Sequence, residues 1–241
     1  MSARKAKSMK LYVGTSGYSY KEWKGSFYPK DMKTGGMLKY YGERFGAVEI
    51  NSSFYRLPAV SALESWAGEV PAGFRFAMKA PQAITHFQRL KGSEKSVAEF
   101  VSVAAALGPR LGPLLFGLPP NMKKDAARLR DVLALLPDGT RAAVEFRHAS
   151  WFDDEVFGVL NDAGVALCVA DADDELEVPF EATAGFGYVR LRRAEYSAAA
   201  LKKWMGRIQK QKWKEAFVFF KHEDEAKGPR FAERFVGLVQ A

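Results

Sequence analysis

The sequence predicts an α/β fold, a TIM-like (β/α) barrel of about eight parallel strands, and three observations support that prediction. Strand-like and helix-like patterns alternate eight times, with one helix missing after the sixth strand. Strands joined through helices run parallel, and eight such units favour closure over an open doubly wound sheet. The length of 241 residues matches the usual size of one barrel. Several strands also turn charged only near their carboxyl ends, on the face opposite their apolar one. Barrel strands do this where their tops line a pocket.

The first strand is expected over Leu11 to Ser16, running into the Gly- and aromatic-rich loop GYSYKEWKGSFYP. Met37, Leu38, Tyr41 and Phe45 fall at helical spacing before a second strand, Ala47 to Asn51. Val60, Leu63 and Trp66 form the next helical stripe, and Phe74 to Lys79 is the third strand. A loop over Ala80 to Gly92 precedes a helix with Val97, Phe100, Val101 and Ala104 on one face, opened by an expected Ser96/Glu99 capping box. Leu114 to Leu118 is the fourth strand, ended by Pro119 and Pro120. Ala126, Leu129, Leu133 and Leu136 align on a helix leading to the fifth strand at Ala142.

Val156, Phe157 and Leu160 mark a short helix stopped near Gly164. The sixth strand, Val165 to Ala170, is followed by an acidic loop with Asp171, Asp173, Asp174, Glu175, Glu177 and Glu181 in place of a helix. Phe186 to Arg192 is the seventh strand, and Leu201, Trp204, Met205 and Ile208 give an amphipathic helix. Ala216 to Phe220 is the eighth strand, and Pro229 opens a last helix through Phe231, Phe235 and Leu238. A dinucleotide fold would need G-x-G-x-x-G after the first strand, and GTSGY does not supply it.

Residues 1–10 read as a disordered basic tail and 11–241 as a single barrel domain. The net charge of +8 is concentrated in two places. Arg4, Lys5, Lys7 and Lys10 share the tail; Lys202, Lys203, Arg207, Lys210, Lys212 and Lys214 follow one another without an acid between them. The remainder is slightly acidic, so a solvated tail and helix face are preferred to a nucleic-acid footprint. The single cysteine, Cys168, lies in the apolar run VALCVA, which excludes a disulfide framework and reads as core. With no apolar run of signal-peptide or membrane-span length, a cytoplasmic protein is expected.

The stretch AAVEFRHASW, Ala142 to Trp151, is the clearest pointer to a site. Glu145 and Arg147 share one face of the strand while Val144 and Phe146 take the other. Three more strands repeat the pattern: Glu49 and Asn51 oppose Val48 and Ile50, Lys79 opposes Met78, and Tyr188, Arg190 and Arg192 oppose Val189 and Leu191. In a barrel these ends converge on one mouth. Two carboxylates among Arg147, Arg190 and Lys79 would serve glycoside hydrolysis or proton abstraction beside a carbonyl. The competing reading makes Glu145 a structural ion-pair partner of an arginine. Tyr18, Tyr20, Trp23, Phe54, Tyr55 and Trp151 could stack on a ligand or simply cover the core. His86 and His148 are candidate acid/base groups, each with a plain hydrogen-bonding role as the alternative. No cofactor and no metal is assigned; three histidines supply a metal cluster poorly, leaving Asp171 or the acidic loop as the only candidate cation ligands.

As a set, GTSGYSYKEWKGSFYP, VEINSSFYRLP, FRFAMKAPQAITH, LGPLLFGLPP, VEFRHASW and YVRL resemble the YecE-like domain-of-unknown-function family, number seventy-two in that series. The motifs span nearly the whole chain in order. The resemblance implies a TIM-like barrel but no established activity, with only a loose relation to sugar isomerases suggested. The family's recurrent positions fall on Tyr18, Glu49, Asn51, Tyr55, Lys79, His86, Glu145, Arg147, Trp151 and Arg190. Gly117 stands where many members have Gln, Arg192 and Arg193 where many have His-Gly, and Lys221 and His222 where many have an Asn pair.

The sequence therefore favours an isomerase or hydrolase acting on a small anionic or sugar-like molecule, with Glu49, Glu145 and Arg147 as catalytic residues. Tyr18, Asn51, Tyr55, Lys79, His86, Trp151 and Arg190 are expected to bind the substrate. The alternatives are a nucleic-acid-acting protein using the basic helix and loop aromatics, and a non-catalytic binding barrel.

Overall fold

The computed structural model describes residues 9–221 and 224–240. Its strands are β1 (Lys10–Ser16), β2 (Ala47–Ile50), β3 (Arg75–Lys79), β4 (Leu111–Gly117), β5 (Ala142–Glu145), β6 (Ala166–Asp171), β7 (Phe186–Leu191) and β8 (Glu215–Phe220). All pair in parallel, in sequence order, and β1 pairs with β8 to close the barrel. Around them lie α1 (Met37–Gly42), α2 (Val60–Glu69), α3 (Glu94–Ala104), α4 (Ala126–Leu133), α5 (Asp154–Asp162), α6 (Ala198–Gln209) and α7 (Lys227–Gln240). As expected, no helix separates β6 from β7.

Strand alternation sorts the core into two layers. Val48, Met78, Val144 and Val189 face the helices, where they join the larger apolar cluster. Tyr12, Ala47, Ala77, Leu115, Ala143, Cys168, Tyr188, Phe217 and Phe219 fill the lumen. Small residues on β2, β3 and β5 make room for the large rings of β1, β7 and β8; Tyr12 and Phe217 stack at 4.7 Å. Gly14 permits an even closer approach, because a Cβ there would stand 1.7 Å from the Ala47 carbonyl oxygen. The next inward positions above this plug are Glu49, Lys79, Glu145 and Arg190, so the alternation that builds the plug also aims these charges into the lumen.

Side chains cap several helices where the chain leaves a strand top: Asp125 accepts from the Arg128 N–H, Asp153 from Val156 and Ser197 from Ala200. The segment between β6 and β7 is held by Thr183, whose hydroxyl oxygen accepts from the Leu167 N–H and donates to the Val165 carbonyl.

Most strand ends fall within a residue of the sequence expectation, and three departures have a visible cause. The basic tail ends earlier than residue 10, because the Lys10 N–H donates to the Lys214 carbonyl and Lys10 pairs with Glu215 inside the barrel. Residues 1–8 of that tail, and His222, lie outside the described residues. β4 begins at Leu111, three residues early, where the Arg141 guanidinium donates to the Leu111 carbonyl at 2.7 Å. The Ser96/Glu99 capping box does not form, since α3 already starts at Glu94. Left-handed backbone at Arg89, Leu90 and Gly92 turns the chain into the helix sooner.

Candidate functional site

The centre of the lumen is an ion network built from three strand ends. Arg190 Nη1 donates to both carboxylate oxygens of Glu145 at 2.8 Å, and its Nη2 donates to Glu49 Oε1 at 2.7 Å. Glu49 also accepts from the Ser16 hydroxyl at 2.8 Å and from the Tyr188 hydroxyl at 2.7 Å. Arg147 and Arg192 donate to Glu145 from above, at 3.0 and 3.2 Å. Burial pushes both carboxyls up. Arg190 outweighs it at each, helped by Tyr188 and Ser16 at Glu49 and by Arg147, Arg192 and Lys79 at Glu145, so both are held below the usual carboxylate range. Both are therefore ionised at neutral pH.

The upper part of the site is cationic. Lys79, Arg147, Arg190 and Arg192 face Glu49 and Glu145 there, and Arg147 and Arg192 keep 31% and 24% of their side chains exposed. Among the described residues the three arginines bond carboxylates, whereas the Lys79 ammonium has neither a hydrogen bond nor an ion pair. Instead it lies over the Phe54 ring, 4.1 Å from its centroid. Burial, then Arg190 and Arg147, push the Lys79 pKa down to about 8 against the opposing pull of Glu145 and Glu49. The Phe54 face favours the ammonium and offsets part of this.

His86 packs edge-on against the same Phe54 ring at 4.9 Å. It is presented by a π-helical turn, Ala83–Phe87, that follows β3 where the sequence suggested an irregular loop. Its Nδ1 lies 2.8 Å from the Thr85 hydroxyl, and burial, followed by Lys79, Arg147 and Arg89, pushes its pKa down. The ring is thus neutral at pH 7 and able to exchange protons. A cleft of ≈ 390 Å³ opens above Glu145 and Arg147, with Arg192 on one wall and Asp174 and Glu175 of the acidic loop on its rim. Gly117 lies beneath and is closely approached: a Cβ there would stand 3.2 Å from Glu145 Oε2 and 3.5 Å from Lys79 Cε.

The fold thus brings together Glu49, Lys79, His86, Glu145, Arg147 and Arg190. Asn51 sits half-buried just beyond β2, and Tyr55 is 76% exposed on the rim, edge-on to Phe54. Trp151 does not line the mouth. It is fully buried on the helix side of β5, stacked on Phe146 at 4.7 Å, with Nε1 donating to the Met122 carbonyl. The alternation that aims Glu145 inward aims Phe146 outward, and Trp151 follows Phe146. Tyr18 likewise packs against Tyr41 and Trp66, which belong to the outer layer.

Phe54, named in the sequence only as an aromatic that could stack on a ligand or cover the core, joins the site, and so do Ser16, Tyr188 and Arg192, to which no substrate or catalytic role was given. Tyr188 and Arg192 flank Arg190 on the same strand face, and Ser16 ends β1 on its inward side, so periodicity alone held the signal for these three. His148 bonds Ser150 and belongs to a turn rather than to the network. Asp171 is engaged by Arg193, Tyr196 and Trp204. Among the described residues no three His, Cys, Asp or Glu side chains group as metal ligands, and no helix is long and apolar enough to cross a membrane. The basic run of α6 leads to Lys214, directly before β8, and so ends at the strand amino termini, opposite the mouth.

Comparison with known proteins agrees with this architecture. A Thermotoga maritima protein of the DUF72 family superposes with a TM-score of 0.87 at 27% identity, over 96% of this chain and 100% of that one. An Enterococcus faecalis DUF72 protein shares the fold, with a TM-score of 0.78 at 19% identity, over 98% of this chain and 100% of that one. The YecE protein of Escherichia coli K12 is 28% identical over 144 residues, 59% of this chain and 50% of its own length. The YunF protein of Bacillus subtilis is 32% identical over 151 residues, 59% of this chain and 52% of its own length. The chain therefore spans about half the length of these curated relatives. Residues 12–241 match the family described as "Protein of unknown function DUF72", and the chain belongs to that family.

Proposed function

We propose that the protein is an enzyme acting on a small anionic, sugar-like substrate at the carboxyl-end mouth of the barrel. The observation that supports this best is the charge balance: four cations face two carboxylates, and two of the four, the part-exposed Arg147 and Arg192, line the open cleft. Their guanidinium donors suit a phosphate or carboxylate group. Asp174 and Glu175 on the rim suit the hydroxyls of the same molecule.

In this reading Glu49 and Glu145 are not the proton carriers that the sequence suggested. Carboxyls held this far below neutral are weak bases, and their role is to fix Arg190 and Arg147 in place. Proton transfer falls to His86, whose ring is held neutral at pH 7, and to Lys79, pushed down to about 8; the two flank one phenyl ring. The basic run ends at Lys214, at the opposite end of the barrel, and none of its residues lines the cleft above Glu145.

Titration calorimetry with inorganic phosphate and ribose 5-phosphate, against uncharged ribose, tests the reading. The anions should bind and ribose should not, and Arg147→Ala should weaken anion binding about tenfold or more. Equal affinity for ribose and its phosphate, or no effect of Arg147→Ala, would overturn it.

A further inference from the structure

We propose that Lys79 forms an imine with its substrate, which makes the substrate an anionic aldehyde or ketone. The inference rests on the anion site above and adds the carbonyl group to it. Lys79 ends β3, and its backbone is fixed there by the Ser53 hydroxyl, which donates to the Lys79 carbonyl at 2.7 Å. Its inward side chain runs past Gly117, and the missing Cβ lets the lysine stem and the Glu145 carboxylate lie side by side without contact between the two groups. Unlike the three arginines around it, its amine is bound to no carboxylate among the described residues. A nucleophilic amine needs just this: a nitrogen without an acid partner, in partly apolar surroundings, beside other cations.

The groups facing Lys79 are Glu49 on β2, Glu145 and Arg147 from β5 and Arg190 on β7, with His86 in the following turn. Burial, with Arg190 and Arg147 and against Glu145 and Glu49, leaves roughly a tenth of the amine neutral at pH 7. In the reaction the Nζ lone pair attacks the carbonyl carbon, forming the C–N bond. The carbonyl oxygen takes up both amine hydrogens in turn, relayed through His86, and leaves as water as the C=N bond forms. No oxidant or reductant is required. Arg147 and Arg192 hold the anionic end of the molecule meanwhile.

Borohydride trapping tests the proposal. The protein is incubated at pH 8 with glyceraldehyde 3-phosphate or uncharged glyceraldehyde, reduced, digested and mapped by mass spectrometry. Lys79 should be modified at least tenfold faster than any other lysine by the phosphorylated probe, inorganic phosphate should slow it, and a folded Lys79→Arg variant should lose it. Label spread evenly over the lysines overturns the imine. So does an unlabelled Lys79 in protein that still binds phosphate, a result that leaves the anion site standing. Lys79 labelled equally by both probes and unaffected by phosphate supports the imine and removes the anion site instead.

Discussion

Arg190 Nη1 lies 2.8 Å from both carboxylate oxygens of Glu145, and neither side chain is more than 3% exposed. A pair this deeply buried is stable only while both charges are present. Glu145→Gln keeps the shape but leaves Arg190 with Glu49 alone of its two carboxylate partners and takes from Arg147 and Arg192 the carboxylate they bond. The expected cost is on the order of 3 kcal/mol, which for a chain of this size is a fall of about 10 °C in Tm. A Glu145→Gln variant that melts with the wild type would return Glu145 to the role of a titrating acid or base.

Acid should unfold the protein through the same network. A carboxyl whose folded-state pKa is depressed binds its proton more readily in the unfolded chain, so folding gains stability as pH rises. For Glu49 and Glu145 that gain is complete above their ordinary value of 4.5 and is lost as pH falls through their lower folded values. Tm measured from pH 7 down to pH 3 should be flat to about pH 5 and then drop. The drop should be shallower in Glu145→Gln, and equal slopes would place the acid-labile group elsewhere.

Most of the fold was legible because its signal is periodic. All eight strands were placed from alternation, and the missing helix after β6 from the acidic run. The site was legible to the same extent: Glu49, Lys79, Glu145 and Arg190 are inward positions of strands, and they converge. What periodicity could not give was the role of Glu145, which depends on three guanidiniums arriving from β5 and β7. Nor could it give the fate of the aromatics after strand ends, where the period is lost. Trp151 illustrates this. Since it is core, Trp151→Ala should cost about 3–5 kcal/mol in denaturant unfolding while leaving phosphate affinity of the folded fraction unchanged. A selective loss of affinity would put Trp151 back at the mouth.

Lys79 should be a stability liability. Its pKa falls from 10.5 to about 8 on folding, so between those values the unfolded chain binds more protons and stability rises with pH. Below pH 8 the penalty is constant. Lys79→Met, of similar length but uncharged, should therefore raise stability at pH 7 by about 1 kcal/mol after allowance for partial exposure. The advantage should shrink as pH climbs from 8 towards 10.5. A destabilised Lys79→Met protein would mean that the Phe54 contact outweighs the repulsion from Arg190 and Arg147.

Gly117 sets how that amine is used. It pairs with Glu145 in the β4–β5 register and faces the lumen, and a Cβ there would meet the carboxylate at 3.2 Å. Glu145 cannot yield easily, because moving it lengthens its bonds to Arg190. A longer side chain at this position must turn towards Lys79, where Cε is already 3.5 Å from the Cβ position. In Gly117→Gln the amide oxygen can accept from the ammonium and supply the partner that Lys79 lacks among the described residues. Hydrogen bonding to the charged form favours that form, so the Lys79 pKa should move from about 8 back towards 10. Amine-selective acylation followed across pH reads this directly, as a labelling midpoint at Lys79 that rises in the variant and a rate at pH 8 that falls about tenfold. An unchanged midpoint would show that the space beside Gly117 does not communicate with the Lys79 amine.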